Sequence, residues 1–415
     1  MAKESGVDVT KARRLVERCL PRFAERGLPA LAAIEDVSVR RLQGLWTGMG
    51  GVEEITARAY GGTECSFVAK HIGLPKELEQ YELKRDHDSY AVEARFYERG
   101  HAERLCACGA PCPRCLLVDR EDEGILTICM TKLQGEIFDG EEEVQNYSAL
   151  TWLARLHATY WGSRRADEAV SSGLQAQGCY WHLDSRQKEM GEMATDGIDG
   201  RHKLAASAID ERLKADKMQT ICQGDAKGAN ILYDAAAGAL FFDFQWVGKA
   251  PPTKDLAYFM ACAAVGVTAS TEQGYLQHYL EQLGIRLQGQ GDVPPTFESL
   301  WDSYVLACAD LARWMAGWGW WGNKALLKGR VESLLERLDG GEALSNAEAY
   351  RERLFAAFPP AAARFAPLAK SLASAAPKAK ASSSSKLRSS SAAAAPRLGS
   401  GSRLAPTSRA MGRDR

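Results

Sequence analysis

Short runs of alternating apolar and polar residues in the first third of the chain predict an antiparallel sheet. The runs Glu54–Tyr60 and Cys65–Ile72 are joined by a loop that starts with Gly-Gly, a dipeptide typical of hairpin turns. Residues 114–120 and 124–133, "RCLLVDR" and "GILTICMTKL", repeat this arrangement. We therefore expect two hairpins in one antiparallel sheet.

The segments beside these hairpins have other patterns. In Asp88–Gly100, the apolar residues at 92, 96 and 97 and the final glycine predict a helix that packs on the sheet. Residues 8–27 also predict a helix, kinked or broken at Pro21, because proline lacks the amide hydrogen that a helix uses. A glycine cluster, "GLWTGMGG" at Gly44–Gly51, precedes the first hairpin.

From about Glu141 the helical period dominates. Apolar residues recur at helical spacing along "YSALTWLARLHATYW". Three short strands, "MQTICQ", "NILYD" and "ALFFDF", interrupt this helical part. The later predicted helices are 203–215, 254–265, 271–284, 297–316, 323–338 and 345–356. The order of elements predicts an α+β protein, with a sheet and one helix followed by a larger, mainly helical part.

The net charge of −1 conceals an uneven distribution. Between Lys370 and Arg415 there are ten Lys or Arg and one Asp, so this segment carries +9 and the rest of the chain −10. An acidic body with a basic tail does not indicate a nucleic-acid-binding protein. The tail is rich in Ser, Ala and Pro, a composition that predicts disorder from about Ser371.

Hydropathy and cysteine usage indicate a cytoplasmic protein. No stretch approaches the ~18 consecutive apolar residues of a membrane span, and the N-terminal residues lack the apolar core of a secretory signal. We therefore expect the eleven cysteines to be reduced. Four of them could form a zinc site, but their spacing is unusually compact for one and favours a plain cysteine-rich loop. These four are Cys106, Cys108, Cys112 and Cys115.

The segment "CQGDAKGANILYD", Cys222–Asp234, carries the most informative chemistry. Asp225 lies in a loop between two predicted strands, where a carboxylate can reach and deprotonate an incoming hydroxyl. Asn230 offers an amide oxygen five residues later, and Asp243 ends an apolar strand that would hold its carboxylate rigidly. Hard oxygen ligands of this kind suit Mg²⁺, which keeps water and nucleotide phosphates as further ligands.

Phosphoryl transfer also needs a cation on the phosphates and a cover that excludes water. Lys70 in "FVAKHI" has apolar neighbours on both sides, which would fix its ammonium group over the sheet. Glu93 on the following helix is its natural partner. Gly48 and Gly50 in the glycine cluster are candidates for the cover, although an ordinary strand turn would have the same sequence.

Together, in this order, these segments resemble the small-molecule branch of the protein-kinase-like fold. The likeness is to aminoglycoside phosphotransferases and choline kinases, and most closely to the ecdysteroid-kinase-like, or CHK-kinase-like, group. It spans roughly residues 40–340 and rests on "FVAKHI", "SYAVEARFYERG", "LARLHATYWG", "QGDAKGANILYD" and "FFDFQWVGKAPPTKDLAYFM". It implies a two-lobed fold that binds ATP between the lobes and uses Mg²⁺. The implied segments are an N-terminal extension, two lobes and a tail, at 1–30, 31–135, 136–368 and 369–415.

The resemblance also implies roles for residues of this chain. Lys70 and Glu93 would form the pair that holds the phosphates. The backbone of a hinge segment would hydrogen-bond the adenine. This hinge consists of Met130, Thr131, Lys132 and Leu133.

In the C-terminal part, the resemblance makes Asp225 the catalytic aspartate and Asn230 and Asp243 the metal ligands. Asp255 in "DLA" would steady the catalytic loop. Lys227 would neutralise charge on the transferring phosphoryl group, as a lysine at this spacing does in protein kinases.

One spacing favours a small-molecule acceptor. Protein kinases have a long activation segment after the metal-binding aspartate, whereas only eleven residues separate Asp243 from Asp255 here. This leaves no platform for a peptide, so we expect a hydroxyl of a small molecule as acceptor. Gln223 stands where the family has histidine, and an inactive pseudokinase that only binds nucleotide is the alternative.

A run of tryptophans has two possible roles. In "RWMAGWGWWGN" they could wall the acceptor pocket and hold a cationic or flat apolar substrate. They could equally pack between the C-terminal helices. The four residues are Trp314, Trp318, Trp320 and Trp321.

Overall fold

The alternating runs of the first third form one antiparallel sheet in the computed structural model of the chain, which describes residues 7–45, 48–73, 81–120 and 124–360. The sheet has five strands in the order β1-β2-β3-β5-β4. The β2–β3 and β4–β5 hairpins confirm the two predicted ones. The strand bounds are β1 Ile34–Gly44, β2 Gly50–Ala59, β3 Glu64–Gly73, β4 Cys115–Asp119 and β5 Ile125–Thr131.

Helices cover both faces of this sheet, because successive strand residues point to opposite sides. The predicted helix on the sheet is α2, Tyr81–Glu98, and it packs on the face that carries Ile72. The other face, with Phe67, is covered by α1, Val9–Phe23. The sequence predicted a single packed helix, whereas the structure has one on each face.

Helix α1 is not broken at Pro21, contrary to one of the two outcomes that the sequence left open. It continues to Phe23 and is followed by a short 3₁₀ turn, Ala24–Arg26. Pro21 lies two residues from the end of the helix, so the missing amide hydrogen affects only the last turn.

The remainder of the described chain is mostly helical, as predicted. The six later helices that the sequence predicted are present as α7 to α12. Three short helices, α3, α5 and α6, were not predicted, because nine residues or fewer give no clear apolar stripe. The helices are α3 His101–Ala107, α4 Glu143–Thr159, α5 Ser163–Ser171, α6 Gln187–Glu192, α7 Gly197–Lys214, α8 Thr253–Cys262, α9 Ala269–Gly289, α10 Phe297–Trp318, α11 Lys324–Asp339 and α12 Ala347–Ala357.

Two small antiparallel sheets hold the loop around Asp225. Strand β7 pairs with β10, and β8 pairs with β6 and β9. The loop therefore leaves one sheet and enters the other, and its two ends are fixed separately. The strands are β6 Glu136–Ile137, β7 Thr220–Cys222, β8 Ile231–Asp234, β9 Gly238–Phe241 and β10 Gly248–Ala250.

The chain divides into a compact unit, Met1–Pro367, and a second unit, Leu368–Arg415. The second unit, and with it the predicted disordered tail, lies outside the described residues. Among the helices that the structure describes, none has both the length and the apolar character needed to cross a membrane.

The four cysteines at 106–115 do not come together as a metal site. Within the described residues, the one group of three or more potential ligands is His157, Cys222 and Asp255, and it includes none of the four. The Sγ atoms of Cys106 and Cys112 are 3.9 Å apart, and the thiol of Cys108 bonds to the carbonyl of Leu105 instead. Cys106 lies in α3 and Cys115 begins β4, so the four thiols are spread over a helix, a connecting segment and a strand.

Candidate active site

The loop between β7 and β8 holds the carboxylate of Asp225 by one oxygen only. Its Oδ2 accepts hydrogen bonds from Lys227 Nζ at 2.7 Å and from Asn230 Nδ2 at 2.8 Å. Its Oδ1 is buried and has no hydrogen-bond partner in the described part of the chain. Leaving a buried carboxylate oxygen unpaired is costly. This oxygen is therefore the natural acceptor for a hydroxyl group of a ligand.

Gln223 ties this loop to the segment that carries Asp243. Its Nε2 donates to the carbonyl oxygens of Phe242 at 3.2 Å and Asp243 at 2.9 Å. Its Oε1 accepts the backbone N–H of Asp225 at 2.7 Å. One amide side chain thus donates and accepts at the same time, which glutamine can do without titrating.

Asp255 on α8 supports the loop from the other side. Its Oδ2 accepts the backbone N–H of Gln223 at 2.6 Å, and its Oδ1 accepts that of Gly224 at 2.9 Å. The buried His157 lies 3.2 Å from the same carboxylate and 2.9 Å from the hydroxyl of Tyr279. His157 is therefore a fully buried, hydrogen-bonded residue that steadies Asp255.

Lys70 joins the sheet of the first lobe to the second lobe. Its Nζ lies 2.6 Å from Glu93 Oε2 and 2.9 Å from Asp243 Oδ1. Glu93 is itself fixed, because its Oε1 accepts the backbone N–H of Phe244 at 3.2 Å. The pairing of Lys70 with Glu93 that the sequence suggested is present, and Asp243 is a second partner.

The charges of these groups support one another. Burial alone lowers the pKa of Lys70, but the carboxylates of Asp243 and Glu93 outweigh it and raise that pKa. Burial raises the pKa of Asp243, yet the Lys70 ammonium outweighs it and holds that pKa low. Burial also raises the pKa of Asp225, and Lys227 opposes the rise.

Asn230 and Asp243 are suitable ligands for a hard divalent cation. Both hydrogen bonds from the Asn230 amide nitrogen go to Asp225, which leaves its amide oxygen as the free end of the side chain. The backbone N–H of Phe242 donates to the Asn230 carbonyl at 3.1 Å, so the two candidate ligands are held on adjacent segments. An amide and a carboxylate oxygen match the preference of Mg²⁺.

Of the two glycines proposed for a nucleotide cover, Gly48 lies between β1 and β2, and Gly50 is the first residue of β2. Gly48 has φ +72°, and an added Cβ would meet no atom within 4 Å. Gly50 has φ +154°, and a Cβ there would lie 1.9 Å from the His71 carbonyl oxygen. Gly50 is therefore explained by close strand pairing, and Gly48 by its left-handed backbone.

The predicted hinge begins inside β5. Met130 pairs with residues of β3 and β4, and the Thr131 N–H donates to the Arg114 carbonyl at 2.9 Å. Lys132 and Leu133 follow the end of the strand, and Lys132 Nζ lies 2.5 Å from Glu54 Oε1. We therefore expect the backbone groups of Lys132 and Leu133, rather than the N–H of Thr131, to hydrogen-bond a nucleotide base.

Aromatic residues lie beside Asp225. The Tyr180 N–H donates to the Gly224 carbonyl at 3.4 Å, and the hydroxyls of Tyr180 and Tyr258 are 2.6 Å apart. Trp314 packs edge-on against Tyr180, with ring centroids 4.8 Å apart, and is buried. Trp318, by contrast, is 49% exposed. The tryptophan run therefore contributes both to packing and to a surface.

Sequence reasoning missed three side chains of this site. Lys70 Nζ lies 5.3 Å from the ring centroid of Tyr90, and Gln245 is among the groups that keep the pKa of Asp243 low against the effect of burial. Tyr90 precedes Glu93 by three residues on α2, and this helical spacing was a usable signal. Nothing in the sequence indicated Arg186, which stacks on Tyr180.

The chain belongs to a known family of phosphotransferases. The model of the phosphotransferase enzyme family, APH, matches residues 65–290, more than half of the sequence. Its members are small-molecule phosphotransferases, and the protein has the protein-kinase-like fold. Among curated proteins, none matches the chain.

Several solved structures are similar. The macrolide 2′-phosphotransferase of Brachybacterium faecium is 18% identical with a TM-score of 0.40, over 83% of this chain and 99% of that one. The choline kinase of Streptococcus pneumoniae is 15% identical with a TM-score of 0.44, over 73% and 95%. A choline/ethanolamine kinase family protein of Mesorhizobium loti is 16% identical with a TM-score of 0.42, over 83% and 99%.

Proposed function

We propose that the protein transfers the γ-phosphoryl group of ATP to a hydroxyl of a small molecule. The observation that carries this proposal is the free Oδ1 of Asp225, buried beside Lys227 and the candidate metal ligand Asn230. The paired Lys70 and Glu93 supply the phosphate-holding cation that such a reaction needs.

In the proposed step, the acceptor hydroxyl hydrogen-bonds Asp225 Oδ1. Its oxygen forms a bond to the γ-phosphorus as the bond from that phosphorus to the β–γ bridging oxygen breaks. The hydroxyl proton passes to Asp225, and ADP leaves with the electron pair of the broken bond. Lys227 would neutralise charge on the transferring group, and Lys70 would hold the α- and β-phosphates.

Asn230 and Asp243 would hold Mg²⁺. When bound, the metal supplies positive charge to the phosphate oxygens. The two residues contribute oxygen ligands on segments that Gln223 ties together.

In this proposal the two lobes have different roles. Residues 31–135 would bind the nucleotide, with adenine at the hinge Met130–Leu133 and Gly48 and Gly50 in the cover. Residues 136–368 would carry catalysis and the acceptor, flanked by the extension 1–30 and the tail 369–415.

A small molecule fits this site better than a peptide. Between Asp243 and Asp255 lie β10 and the start of α8, so this short segment is already used for structure. The likeness to the ecdysteroid-kinase-like group rests on the sequence motifs, and we retain it as part of the proposal.

Asp225→Asn tests the assignment. The amide keeps the size of the side chain but cannot take the proton, so we expect kcat to fall by about 10²–10⁴-fold. Turnover is measured as Mg²⁺-dependent ADP formation with a library of alcohols, and ATP binding by calorimetry. Binding should be nearly unchanged. Unchanged turnover in this variant would refute the role of Asp225.

A catalytically silent nucleotide-binding scaffold is the second candidate, because Gln223 departs from the family histidine. ATP binding without turnover of any acceptor would favour it. Phosphate transfer to generic peptides would instead favour a protein kinase.

A further inference from the structure

An aromatic cage lies beside the catalytic loop, and the guanidinium group of Arg186 occupies it. The cage is formed by Tyr180 and Trp314, which meet edge to face. The Arg186 guanidinium carbon lies 5.2 Å from the centroid of the Tyr180 ring and 5.3 Å from that of Trp314. Both distances are within the range of cation–π contacts.

Arg186 is fixed in this position. Its Nε donates to the Tyr180 carbonyl at 2.9 Å, and its Nη1 donates to Glu189 Oε1 at 3.2 Å. The residue is only 8% exposed. Arginine stays protonated in proteins, so the positive charge is permanent.

The cage belongs to the neighbourhood of Asp225. Tyr180 hydrogen-bonds the Gly224 carbonyl, one residue before Asp225. Trp314 also packs edge-on against Trp321, at 4.8 Å, and the Trp321 indole N–H donates to the Cys262 sulfur at 3.2 Å. Aromatic contacts therefore run from the cage through Trp321 to Cys262 on α8, the helix that also carries Asp255.

Two further cations lie in neighbouring segments. Arg85 Nη1 donates to the carbonyl of Ser185, the residue before Arg186, at 3.2 Å. In the loop of Asp225, Lys227 Nζ lies 2.7 Å from Asp225 Oδ2. The carboxylates of Asp86 and Glu189 are already paired with Arg85 and Arg186.

We propose that Arg186 is a specificity-determining residue that excludes cationic head groups, so that the acceptor hydroxyl is carried by a molecule without a positive charge. This proposal rests on the proposed function for the existence of an acceptor. A cationic alcohol would find the aromatic faces occupied by Arg186, so its charge would lose water without gaining a cation–π contact. An uncharged alcohol of the same shape would meet the apolar edges without this desolvation cost.

Choline and its uncharged isostere 3,3-dimethylbutan-1-ol are the matched probes. Binding to the full-length protein with ATP analogue and Mg²⁺ is followed by tryptophan fluorescence and calorimetry. We expect the isostere to bind at least about tenfold more tightly than choline, because choline would lose hydration of its charge with no cation–π contact to offset the loss. Tighter or equal binding of choline would overturn the proposal.

The double variant Arg186→Leu, Glu189→Gln removes the cation and its partner together. We expect it to gain binding of tetramethylammonium, which the native protein and Glu189→Gln alone should not bind. Arg186→Lys should keep the exclusion. Failure of the double variant to bind tetramethylammonium while it still binds ATP would show that the cage is not a cation site. If the double variant does not fold, the ordering of choline and isostere on the native protein decides.

The two proposals fail in different ways. If the protein turns over ATP and prefers choline to its isostere, the phosphotransferase assignment stands and the role of Arg186 is refuted. The predicted binding order without any turnover of ATP keeps the exclusion of cationic ligands by Arg186, but refutes the phosphotransferase and with it the existence of an acceptor.

Discussion

A single glutamine amide at position 223 joins the two halves of the proposed active site. It bonds the backbone N–H of Asp225 and the carbonyl of Asp243 simultaneously. An imidazole can also offer one donor and one acceptor, but only while it is neutral. Glutamine therefore supplies both kinds of hydrogen bond at this position without a protonation equilibrium.

Removal of the Gln223 side chain should damage the loop. We expect Gln223→Ala to lower kcat/KM by about tenfold or more, because a buried hydrogen-bonded group costs ~1–3 kcal/mol when its partners are left unpaired. ADP formation at saturating ATP measures the effect. A rate within twofold of the native rate would show that Gln223 does not position Asp225.

Gln223→His is the matched conservative change, and we expect its rate near pH 8 to be close to native. At lower pH the imidazole gains a proton and can no longer accept the Asp225 N–H, so activity should fall as pH decreases through its pKa. The ratio of the variant's rate to the native rate, measured across pH 5.5–8.5, isolates this effect. A large gain over the native rate at pH 8 would mean instead that the native loop is impaired.

At the scale of elements, helix α8 holds the loop of Asp225 and is itself held by α10. Asp255 binds the loop, while the adjacent Lys254 pairs with Asp310 of α10 at 2.9 Å. Asp310 also pairs with Arg313 at 3.1 Å, and all three of these charged side chains are buried. Opposite charges in the core therefore fix α8 in position.

Asp310→Ala should destabilise the protein strongly. The change leaves Lys254 and Arg313 buried without their carboxylate, a situation that costs about 3–5 kcal/mol. Urea unfolding at pH 7 measures the free energy of unfolding. Glu168→Ala is the control, because its pair with Arg164 is exposed and should contribute less than about 1 kcal/mol. Similar losses in both variants would contradict this account.

The pH dependence of the same cluster has a definite sign. Burial raises the pKa of Asp310, but Lys254 and Arg313 outweigh it and hold that pKa below its ordinary value. Stability from this group is therefore present at neutral pH and is lost as pH falls through the folded-state pKa.

At the scale of the whole molecule, the N-terminal helix completes the first lobe. One face of α1 is buried against the sheet face that carries Phe67, and Phe23 meets Phe67 at 6.0 Å between ring centroids. The sequence placed residues 1–30 as an extension outside the lobe. Within that extension, α1 packs into the second core of this lobe.

Phe23→Ala should therefore destabilise the protein by about 3–5 kcal/mol, the usual cost of removing a buried aromatic ring. Thermal and urea unfolding measure the loss. Val9 lies on the same helix but is 55% exposed, so Val9→Ala should have little effect. Equal effects would mean that α1 does not contribute to the core.

The sequence predicted those features that depend on local pattern. Strand alternation identified both hairpins, and the isolated lysine of "FVAKHI" together with Glu93 identified a pair that lies 2.6 Å apart. The placement of Arg186 between Tyr180 and Trp314 depends on how three distant segments pack, and no local pattern encodes it. The same holds for α1. Its apolar stripe shows that one face of the helix is buried, but it does not show which surface that face packs against.

The short path from Asp243 to Asp255 has a consequence for control. In many protein kinases, another enzyme modifies the segment after the metal-binding aspartate and thereby switches the kinase activity on or off. Here that path is occupied by a paired strand and a helix start, and Lys70 already contacts Glu93 and Asp243. A phosphotransferase built in this way needs no such modification once it has folded. Its rate would therefore follow the concentrations of the protein and of the acceptor.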